Sequence, residues 1–174
     1  MKVVCISGKA RSGKDTTAQI LKEQLESEGN AVLIIHYADY LKFICKNYFG
    51  WNGLKDEVGR HMLQYVGTDV VRAIDENFWV NKVIEILKLF GHNYDYVLIP
   101  DARFPNEIES MKSEFQTFSI RVYRNGLNTS EKTKSHESET ALDNYVFDYK
   151  IENFGSKEDL FNAIIDVKHS IELE

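Results

Sequence analysis

A glycine-rich loop near the N-terminus is the residue pattern with the clearest chemistry. It runs from Gly8 through Gly13 to Lys14, between a short apolar run and a helical pattern. Glycines let backbone N–H groups come close to phosphate oxygens, and the helix that follows adds the positive end of its dipole. The spacing predicts a phosphate-binding loop in which Lys14 reaches the β and γ phosphates of a nucleotide. The residues assigned to this nucleotide site are Gly8, Ser12, Gly13, Lys14, Asp15, Thr16 and Thr17.

One position of the loop departs from the usual spacing. Asp15 occupies the place where a magnesium-binding hydroxyl is expected, and Thr16 and Thr17 follow it. A carboxylate there would repel a triphosphate unless it met a cation or accepted a hydrogen bond from a substrate hydroxyl; otherwise Asp15 is a first-turn acidic residue that favours the helix dipole. A hydroxyl delayed by one residue is typical of small-molecule kinases rather than GTPases. Thr16 is therefore a predicted ligand of Mg²⁺.

A second group of candidate residues follows the apolar run at 96–99. Asp101 is placed at the C-terminal end of a predicted strand, where ligands bind in open parallel sheets. It is predicted to hold Mg²⁺, directly or through water. Arg103, just past the strand, is placed to clamp a phosphate through two hydrogen bonds. Glu107 would orient Arg103 by a salt bridge or touch an acceptor sugar; the alternative is an ordinary surface ion pair.

A third polar group lies in the middle of the chain and suits a bound nucleotide. Arginine binds phosphate, glutamine contacts a base edge and tryptophan stacks on a base. Arg60, Gln64 and Gly67 recur at three- and four-residue steps, which places them on one helix face. Each residue alone has an ordinary alternative, with Trp79 in the core and the arginines solvated, so the prediction depends on their grouping. The predicted acceptor-binding residues are Asp39, Lys42, Arg60, Gln64, Gly67, Thr68, Arg72 and Trp79.

A polar segment follows the predicted fourth strand. Arg124 precedes a stretch with almost no apolar residue, and we expect a lid-like loop over about 124–140. Such a loop can close over a triphosphate and exclude water. Arg124 is accordingly a predicted catalytic residue, together with Lys14, Asp101, Arg103 and Glu107. The alternative is a loop whose charges have no function.

Alternating strands and helices must position these groups. Apolar runs predict strands at 2–7, 31–37, 94–99, 118–123 and 145–151, and helical spacing predicts helices at about 14–28, 40–48, 55–74, 76–90, 108–115 and from 157 onward. Ser156 is the predicted N-cap of the last helix. This alternation predicts an α/β fold with a parallel sheet and helices on both faces. We expect one domain over 1–174, in which about 40–92 form a small helical part.

Composition excludes several classes of protein. The chain has 174 residues, of which 43% are hydrophobic, and a formal net charge of −6. This charge argues against a nucleic-acid coat or a binder of anionic membranes, and no apolar run is long enough to span a bilayer. Cys5 and Cys45 show no zinc spacing and predict reduced, buried thiols. We therefore expect a cytoplasmic protein.

Taken together, these motifs resemble those of the phage-type deoxynucleoside monophosphate kinases. The similarity continues into the C-terminal third of the chain. The residues that carry it are Gly8 to Thr17, Arg60-x-x-x-Gln64-x-x-Gly67-Thr68, Trp79, Asp101-x-Arg103-x-x-x-Glu107, Arg124, His136-x-Ser138-Glu139 and Asn153-x-Gly155-Ser156. The chain is shorter than members of that family, mainly between Asp39 and Arg60.

The resemblance implies a fold and an activity. The fold is the three-layer P-loop NTPase fold with a mostly parallel five-stranded sheet and a small helical acceptor subdomain. The activity is transfer of the ATP γ-phosphoryl group, with Mg²⁺, to a deoxynucleoside 5′-monophosphate. By position, Ser12, Asp15, Thr16 and Thr17 would belong to the nucleotide site. Asp101, Arg103 and Glu107 would form the catalytic and acceptor set.

Two other functions stay open at this stage. One is a P-loop kinase for another small phosphorylated acceptor such as phosphomevalonate, whose loop is similar. The other is a non-catalytic ATP-binding regulatory module. Trp79 and Gln64 favour a nucleotide acceptor, because an aromatic stacker suits a base. The expected partners are ATP and the monophosphate, without nucleic acid or membrane, and a homodimer is left open.

Overall fold

A five-stranded parallel sheet forms the centre of the protein. The computed structural model describes residues 1–124, 136–154 and 156–174. The strands within these ranges are β1 (Lys2–Ser7), β2 (Val32–Ile34), β3 (Tyr96–Ile99), β4 (Gln116–Tyr123) and β5 (Tyr149–Glu152), in the order β2-β3-β1-β4-β5. All four pairings are parallel. The mostly parallel sheet that the sequence predicts is therefore parallel throughout the described residues.

Seven α-helices in the described ranges surround the sheet. They are α1 (Lys14–Ser27), α2 (Ala38–Tyr48), α3 (Glu57–Gln64), α4 (Phe78–Phe90), α5 (Pro105–Glu114), α6 (Glu137–Thr140) and α7 (Lys157–Leu173). A π-helix (Tyr65–Arg72) continues α3, and a 3₁₀ turn (Gly91–Asn93) follows α4.

Three apolar clusters pack these elements. Helices α1 and α7 cover one face of the sheet, where Val4 and Ile6 are fully buried. Helices α4 and α5 cover the other face, over Val3 and Cys5. The result is the predicted layered arrangement, with a central strand buried on both faces. A third cluster lies among α2, the π-helix and α4, away from the sheet; its buried members are Leu41, Cys45, Trp51, Val66 and Trp79.

Some element boundaries differ from those predicted. The strand predicted at 31–37 ends at Ile34, because Tyr37 already has helical backbone angles and leads into α2. The strand predicted from residue 145 begins only at Tyr149, since Tyr145 and Phe147 pack against the cluster under α4 and α5. Most of the predicted lid-like loop, residues 125–135, lies outside the described residues. Ser156 caps α7 as predicted, its hydroxyl accepting the Asp159 N–H at 3.0 Å.

Length and apolarity decide whether a helix can span a bilayer. None of those in 1–124, 136–154 and 156–174 is long and apolar enough to cross a membrane.

Candidate active site

The glycine-rich loop connects β1 to α1 and is held in an unusual backbone conformation. Gly13 has a φ of 104°, which a residue with a Cβ adopts only with strain. A Cβ on Gly13 would also lie 2.7 Å from Nδ2 of Asn153, and one on Gly8 would lie 2.8 Å from the carbonyl oxygen of Val122. Both glycines are therefore required by the path of the loop, as the motif predicts.

Polar groups lie directly beneath this loop. Asn153, just past β5, donates from Nδ2 to the carbonyl oxygen of Ser12 at 2.9 Å. The hydroxyls of Ser12 and Thr17 are buried and have no hydrogen-bond partner among the described residues. Because buried hydroxyls are normally paired, these two fit a site that is completed by a ligand or water. Asp15 and Thr16, in contrast, are exposed.

Lys14 brings the loop into electrostatic contact with the second group of candidate residues. Burial lowers the pKa of the Lys14 ammonium below its usual value, and the Asp15 carboxylate opposes this shift. Arg103, Glu139 and Asp101 also act on the Lys14 charge. Arg103 lines a cleft with Gly8 and Lys9 of the loop, and the charges of Arg103 and Asp101 act on Lys14.

Asp101 lies at the C-terminal end of β3, as predicted, and binds the start of α2. Its Oδ1 accepts the Tyr37 N–H and its Oδ2 accepts the Ala38 N–H, each at 3.0 Å. Two charge-assisted bonds of this kind fix the carboxylate in one orientation. Each oxygen keeps a second acceptor site, so Asp101 can also contact a hydrated cation.

The predicted salt bridge between Glu107 and the Arg103 side chain is absent from the described residues. Glu107 instead accepts the backbone N–H groups of Arg103 (2.7 Å) and Phe104 (3.1 Å), just before the start of α5. The guanidinium of Arg103 bonds to Glu139 and to the carbonyl oxygen of Ser138. The prediction was wrong because α5 begins at Pro105, which turns Glu107 toward the backbone N–H groups that precede the helix.

Glu107 is 4% exposed, and burial raises its pKa to about 7. Nη1 of Arg72 lies 3.7 Å from its Oε1. Arg72 also packs its guanidinium 3.6 Å from the ring centroid of Phe104 and donates to Asn106 at 2.9 Å. Arg72 is therefore a partly buried neighbour of α5 rather than a solvated side chain.

The other predicted acceptor residues do not share one helix face. The helix predicted at 55–74 changes from α to π geometry at Tyr65, which alters the angular step between residues. Arg60 is exposed and donates to the carbonyl oxygen of Lys55, whereas Gly67 is buried against Leu41. Gln64 and Thr68 are half-buried on either side of this change.

Trp79 does not offer its ring to a base in this structure. It is 4% exposed, and its indole N–H donates to the carbonyl oxygen of Gly67 at 2.9 Å. Its ring meets Phe78 edge to face, with centroids 4.9 Å apart. Trp79 is a core residue of the third cluster. The predicted stacking of a base on Trp79 was therefore wrong, and the alternative, a position in the core, is what the structure shows.

Two predicted acceptor residues lie in the first turns of α2, where Asp39 is exposed and Lys42 is half-buried. Asp39 pairs with Lys42 at 2.9 Å and accepts the His36 N–H at 3.0 Å, near the start of α2. Although burial opposes it, the hydrogen bond from Lys42 holds the pKa of Asp39 below its usual value. Arg124 is exposed, directly after β4.

Arg121 and Asp143 belong to the site but were not among the predicted site residues. Arg121 is buried within β4 and bonds to Ser7 Oγ at 2.8 Å. A small cleft beside the loop is lined by Gly8, Lys9, Arg103, Arg121, Ser138 and Glu139, among others. An arginine inside the apolar run Phe118 to Tyr123 was the signal in the sequence, because alternation in β4 gives Arg121 the same face as Ser119.

The donor groups suit a magnesium ion that arrives with a nucleotide. Within the described ranges, no three His, Cys, Asp or Glu side chains are grouped so that they could hold a metal by themselves. Mg²⁺ commonly takes one or two protein carboxylates and completes its shell with phosphate oxygens and water. Asp101 and the exposed hydroxyl of Thr16 fit that pattern.

Comparisons with known proteins place the chain in a family. A family model described as deoxynucleotide monophosphate kinase matches residues 27–164. The deoxynucleotide monophosphate kinase of Enterobacteria phage T4 is 32% identical over 116 residues, which are 65% of this chain and 46% of that protein. The enzyme of Escherichia phage RB69 is 33% identical over 107 residues, which are 60% of this chain and 42% of that protein. The chain thus spans about half the length of the curated relatives it matches.

Solved structures agree on the fold. The APS kinase of Mycobacterium tuberculosis aligns with a TM-score of 0.55 at 11% identity, covering 97% of this chain and 96% of that one. At this identity the match concerns the fold alone, which is the P-loop kinase fold. Since the family model covers well over half of the chain, this chain belongs to the deoxynucleotide monophosphate kinase family.

Proposed function

We propose that this chain transfers the γ-phosphoryl group of Mg-ATP to a deoxynucleoside 5′-monophosphate and yields the diphosphate and ADP. The observation that carries the proposal is that Arg103 lines a cleft with Gly8 and Lys9 of the phosphate loop, two residues after the fixed carboxylate of Asp101. A cation in a phosphate loop, a fixed carboxylate and an arginine are the groups that phosphoryl transfer uses. Membership of the family supports the choice of acceptor.

Each group has a defined task in this reaction. The loop amides and Lys14 bind the β and γ phosphates. Asp101 and Thr16 would hold the Mg²⁺, which would supply positive charge to the phosphate oxygens when bound. An oxygen of the acceptor phosphate forms a bond to the γ-phosphorus while the bond to the β-γ bridging oxygen breaks, and that electron pair leaves with ADP.

The arginines neutralise the charge that spreads over the transferred group. Arg103 and Arg124 have this role. An arginine that stabilises the transferred group can raise kcat by about 10³- to 10⁵-fold. Glu107 supports Arg103 through the backbone N–H that it accepts. Arg60, Gln64, Thr68 and Arg72, with Asp39 and Lys42, surround the acceptor in this proposal.

A coupled assay of ADP release tests the proposal. Wild-type protein is given Mg-ATP and each deoxynucleoside monophosphate in turn. Ribonucleoside monophosphates and phosphomevalonate are tested separately as alternative acceptors. We expect ADP release that depends on a deoxynucleotide and is lost in Lys14→Ala. Lys88→Ala serves as the matched control, because Lys88 forms an exposed ion pair with Glu114, on the surface of α4.

Two results would contradict the proposal. Turnover with phosphomevalonate but with no nucleotide would assign another acceptor. ATP binding without acceptor-dependent ADP release in any mixture would indicate a regulatory module.

Location and assembly belong to the same proposal. ATP and free deoxynucleotides are cytoplasmic metabolites, so we place the enzyme in the cytoplasm, acting without nucleic acid or membrane. Light scattering after gel filtration decides between a monomer and a homodimer.

A further inference from the structure

The burial of Trp79 leaves the acceptor base without the aromatic surface that the sequence assigned to it. A base that is bound by stacking needs a flat ring face that it can reach. The indole of Trp79 is 4% exposed and its N–H is already donated to Gly67. If the acceptor base is bound by stacking, a different aromatic side chain must supply the ring face.

Tyr40 is an aromatic residue that is both exposed and close to the candidate site. Its side chain is 43% exposed. It lies in the first turn of α2, two residues after Ala38, whose N–H binds Asp101. Since a helix rises about 1.5 Å per residue, the Tyr40 backbone lies about 3 Å along α2 from the residue that Asp101 binds, and its ring lies against Phe78 and Trp79.

The ring of Tyr40 is held in place by other aromatic rings. It is nearly parallel to Phe78, with centroids 6.4 Å apart and planes 22° apart, and to Phe43, at 6.2 Å and 10°. Trp79 meets it edge to face at 6.4 Å. The buried Trp79 thus supports Tyr40 from below. A ring held before the ligand arrives loses little conformational entropy on binding.

Side-chain contacts connect this ring to an arginine. Phe78, which lies nearly parallel to Tyr40, follows Asn77, whose side chain bonds to Asn106, and Asn106 accepts a hydrogen bond from Arg72. Lys42, on the same helix as Tyr40, carries a second positive charge. A base on Tyr40 would therefore have Arg72 and Lys42 as candidate partners for its phosphate. This combination of an accessible ring, nearby cations and a fixed carboxylate fits a nucleotide better than it fits an apolar partner.

We propose that Tyr40 is the residue on which the base of the acceptor nucleotide stacks, and that it sets affinity for the acceptor. The inference depends on the proposed function and deepens it. It predicts that Tyr40 contributes to binding of any base-bearing acceptor, because stacking is tolerant of base identity.

Kinetics of three variants test this role. In Tyr40→Ala we expect the KM for the deoxynucleotide to rise about 5- to 150-fold, the range that stacking contributes per base. The kcat and the KM for ATP should change less than about twofold, since uniform binding is what is lost. Tyr40→Phe keeps the ring and should restore the wild-type KM, whereas Tyr40→Leu keeps apolar packing without the ring and should not.

A matched control and a probe without a base separate stacking from a structural effect. Tyr48→Ala removes a tyrosine that is 73% exposed at the end of the same helix, and it should leave every constant unchanged. Deoxyribose 5-phosphate, which has no base, should inhibit wild-type and Tyr40→Ala equally.

The outcomes are distinguishable from failure of the proposed function. If wild-type protein releases no ADP with any acceptor, the proposed function fails and this inference falls with it. If wild-type is active but Tyr40→Ala matches Tyr48→Ala in KM, or if inhibition by deoxyribose 5-phosphate weakens in parallel with acceptor binding, the stacking role alone is overturned. A Tyr40→Leu variant with wild-type KM would overturn it as well.

Discussion

Arg121 and Asp143 form an ion pair beside the phosphate-binding loop, with 3.0 Å between Nη2 of the arginine and Oδ1 of the aspartate. The Arg121 side chain is 7% exposed and also bonds to Ser7. The second oxygen of Asp143 pairs with Lys9, in the loop itself, at 3.0 Å. One carboxylate therefore joins β4 to the beginning of the loop.

Loss of the Asp143 carboxylate should weaken the fold more than loss of an exposed pair. In Asp143→Asn we expect the free energy of unfolding to fall by about 1–3 kcal/mol, because a buried guanidinium loses its counter-ion. Urea titration measures this change. Glu85→Gln is the control, since it breaks only the exposed pair with Lys82 and should cost about 0.5 kcal/mol or less. Equal losses in the two variants would contradict the structural role of Asp143.

Asp101 should act both as a helix cap and as a catalytic group. In Asp101→Ala we expect a loss of about 1–2 kcal/mol in the free energy of unfolding, because α2 loses two backbone acceptors. We also expect kcat to fall by at least about 10- to 100-fold in the folded protein. Asp56 caps α3, since its Oδ1 accepts the Gly59 N–H. Asp56→Ala should therefore lower the free energy of unfolding without a comparable loss of kcat. Similar kcat values in the two variants would reduce Asp101 to a cap.

Glu107 should make stability depend on pH in an unusual direction. Burial raises its pKa to about 7 in the folded protein, from the usual 4.5 of a glutamate. As pH rises between these values, the unfolded chain loses this proton before the folded chain does. The contribution of Glu107 to the free energy of unfolding is therefore largest below about pH 4.5 and falls by up to about 3 kcal/mol as pH approaches 7.

Comparison of urea titrations at pH 5 and pH 8 isolates this contribution. Glu107→Gln should show a weaker decrease in stability between the two pH values than wild-type protein. Glu114→Gln, an exposed glutamate on the same helix, should keep the wild-type slope. A wild-type slope in Glu107→Gln would mean that the carboxyl group is ionised over the whole range.

Gly13 should be more sensitive to substitution than another glycine with similar backbone angles. Gly13 and Gly29 have φ values of 104° and 91°. A Cβ on Gly29 meets nothing within 4 Å, whereas one on Gly13 meets Asn153 at 2.7 Å. Both alanine variants should lose about 1 kcal/mol or more of stability from backbone strain. Of the two variants, only Gly13→Ala should also fail to bind ATP, which isothermal titration calorimetry measures. ATP binding by Gly13→Ala would show that the loop tolerates displacement of Asn153.

Local spacing was sufficient where one segment carries the whole signal. The phosphate loop needs glycines, a lysine and a helix start within seven residues, so Gly8 to Lys14 could be recognised without knowledge of any distant contact. Asp101 could be placed because the residues that follow a parallel strand lie at the ligand-binding edge of the sheet. Strand β1 was predicted to the residue, since an uninterrupted apolar run indicates burial on both faces.

Contacts between distant segments decided the remainder. Whether Trp79 faced a base or the core depended on its packing against Tyr40 of α2 and on the carbonyl of Gly67, twelve residues away. The partner of Arg103 was Glu139 rather than Glu107, because the start of α5 turned Glu107 toward backbone N–H groups. Hydrophobic periodicity predicts that a residue is buried or exposed, but not which residue of another segment it meets.

The sequence by itself determined the chemistry available to this protein: a phosphate loop, a carboxylate at a strand end and several arginines, all recognisable from residue type and spacing. The tertiary structure decided which of these groups act together. In the folded chain Trp79 lies in the core, Tyr40 is exposed in the first turn of α2, and Arg121 and Asp143 form an ion pair beside the loop. The reason is physical, because burial and pairing depend on how helices pack on the sheet, and that packing is a property of the whole chain.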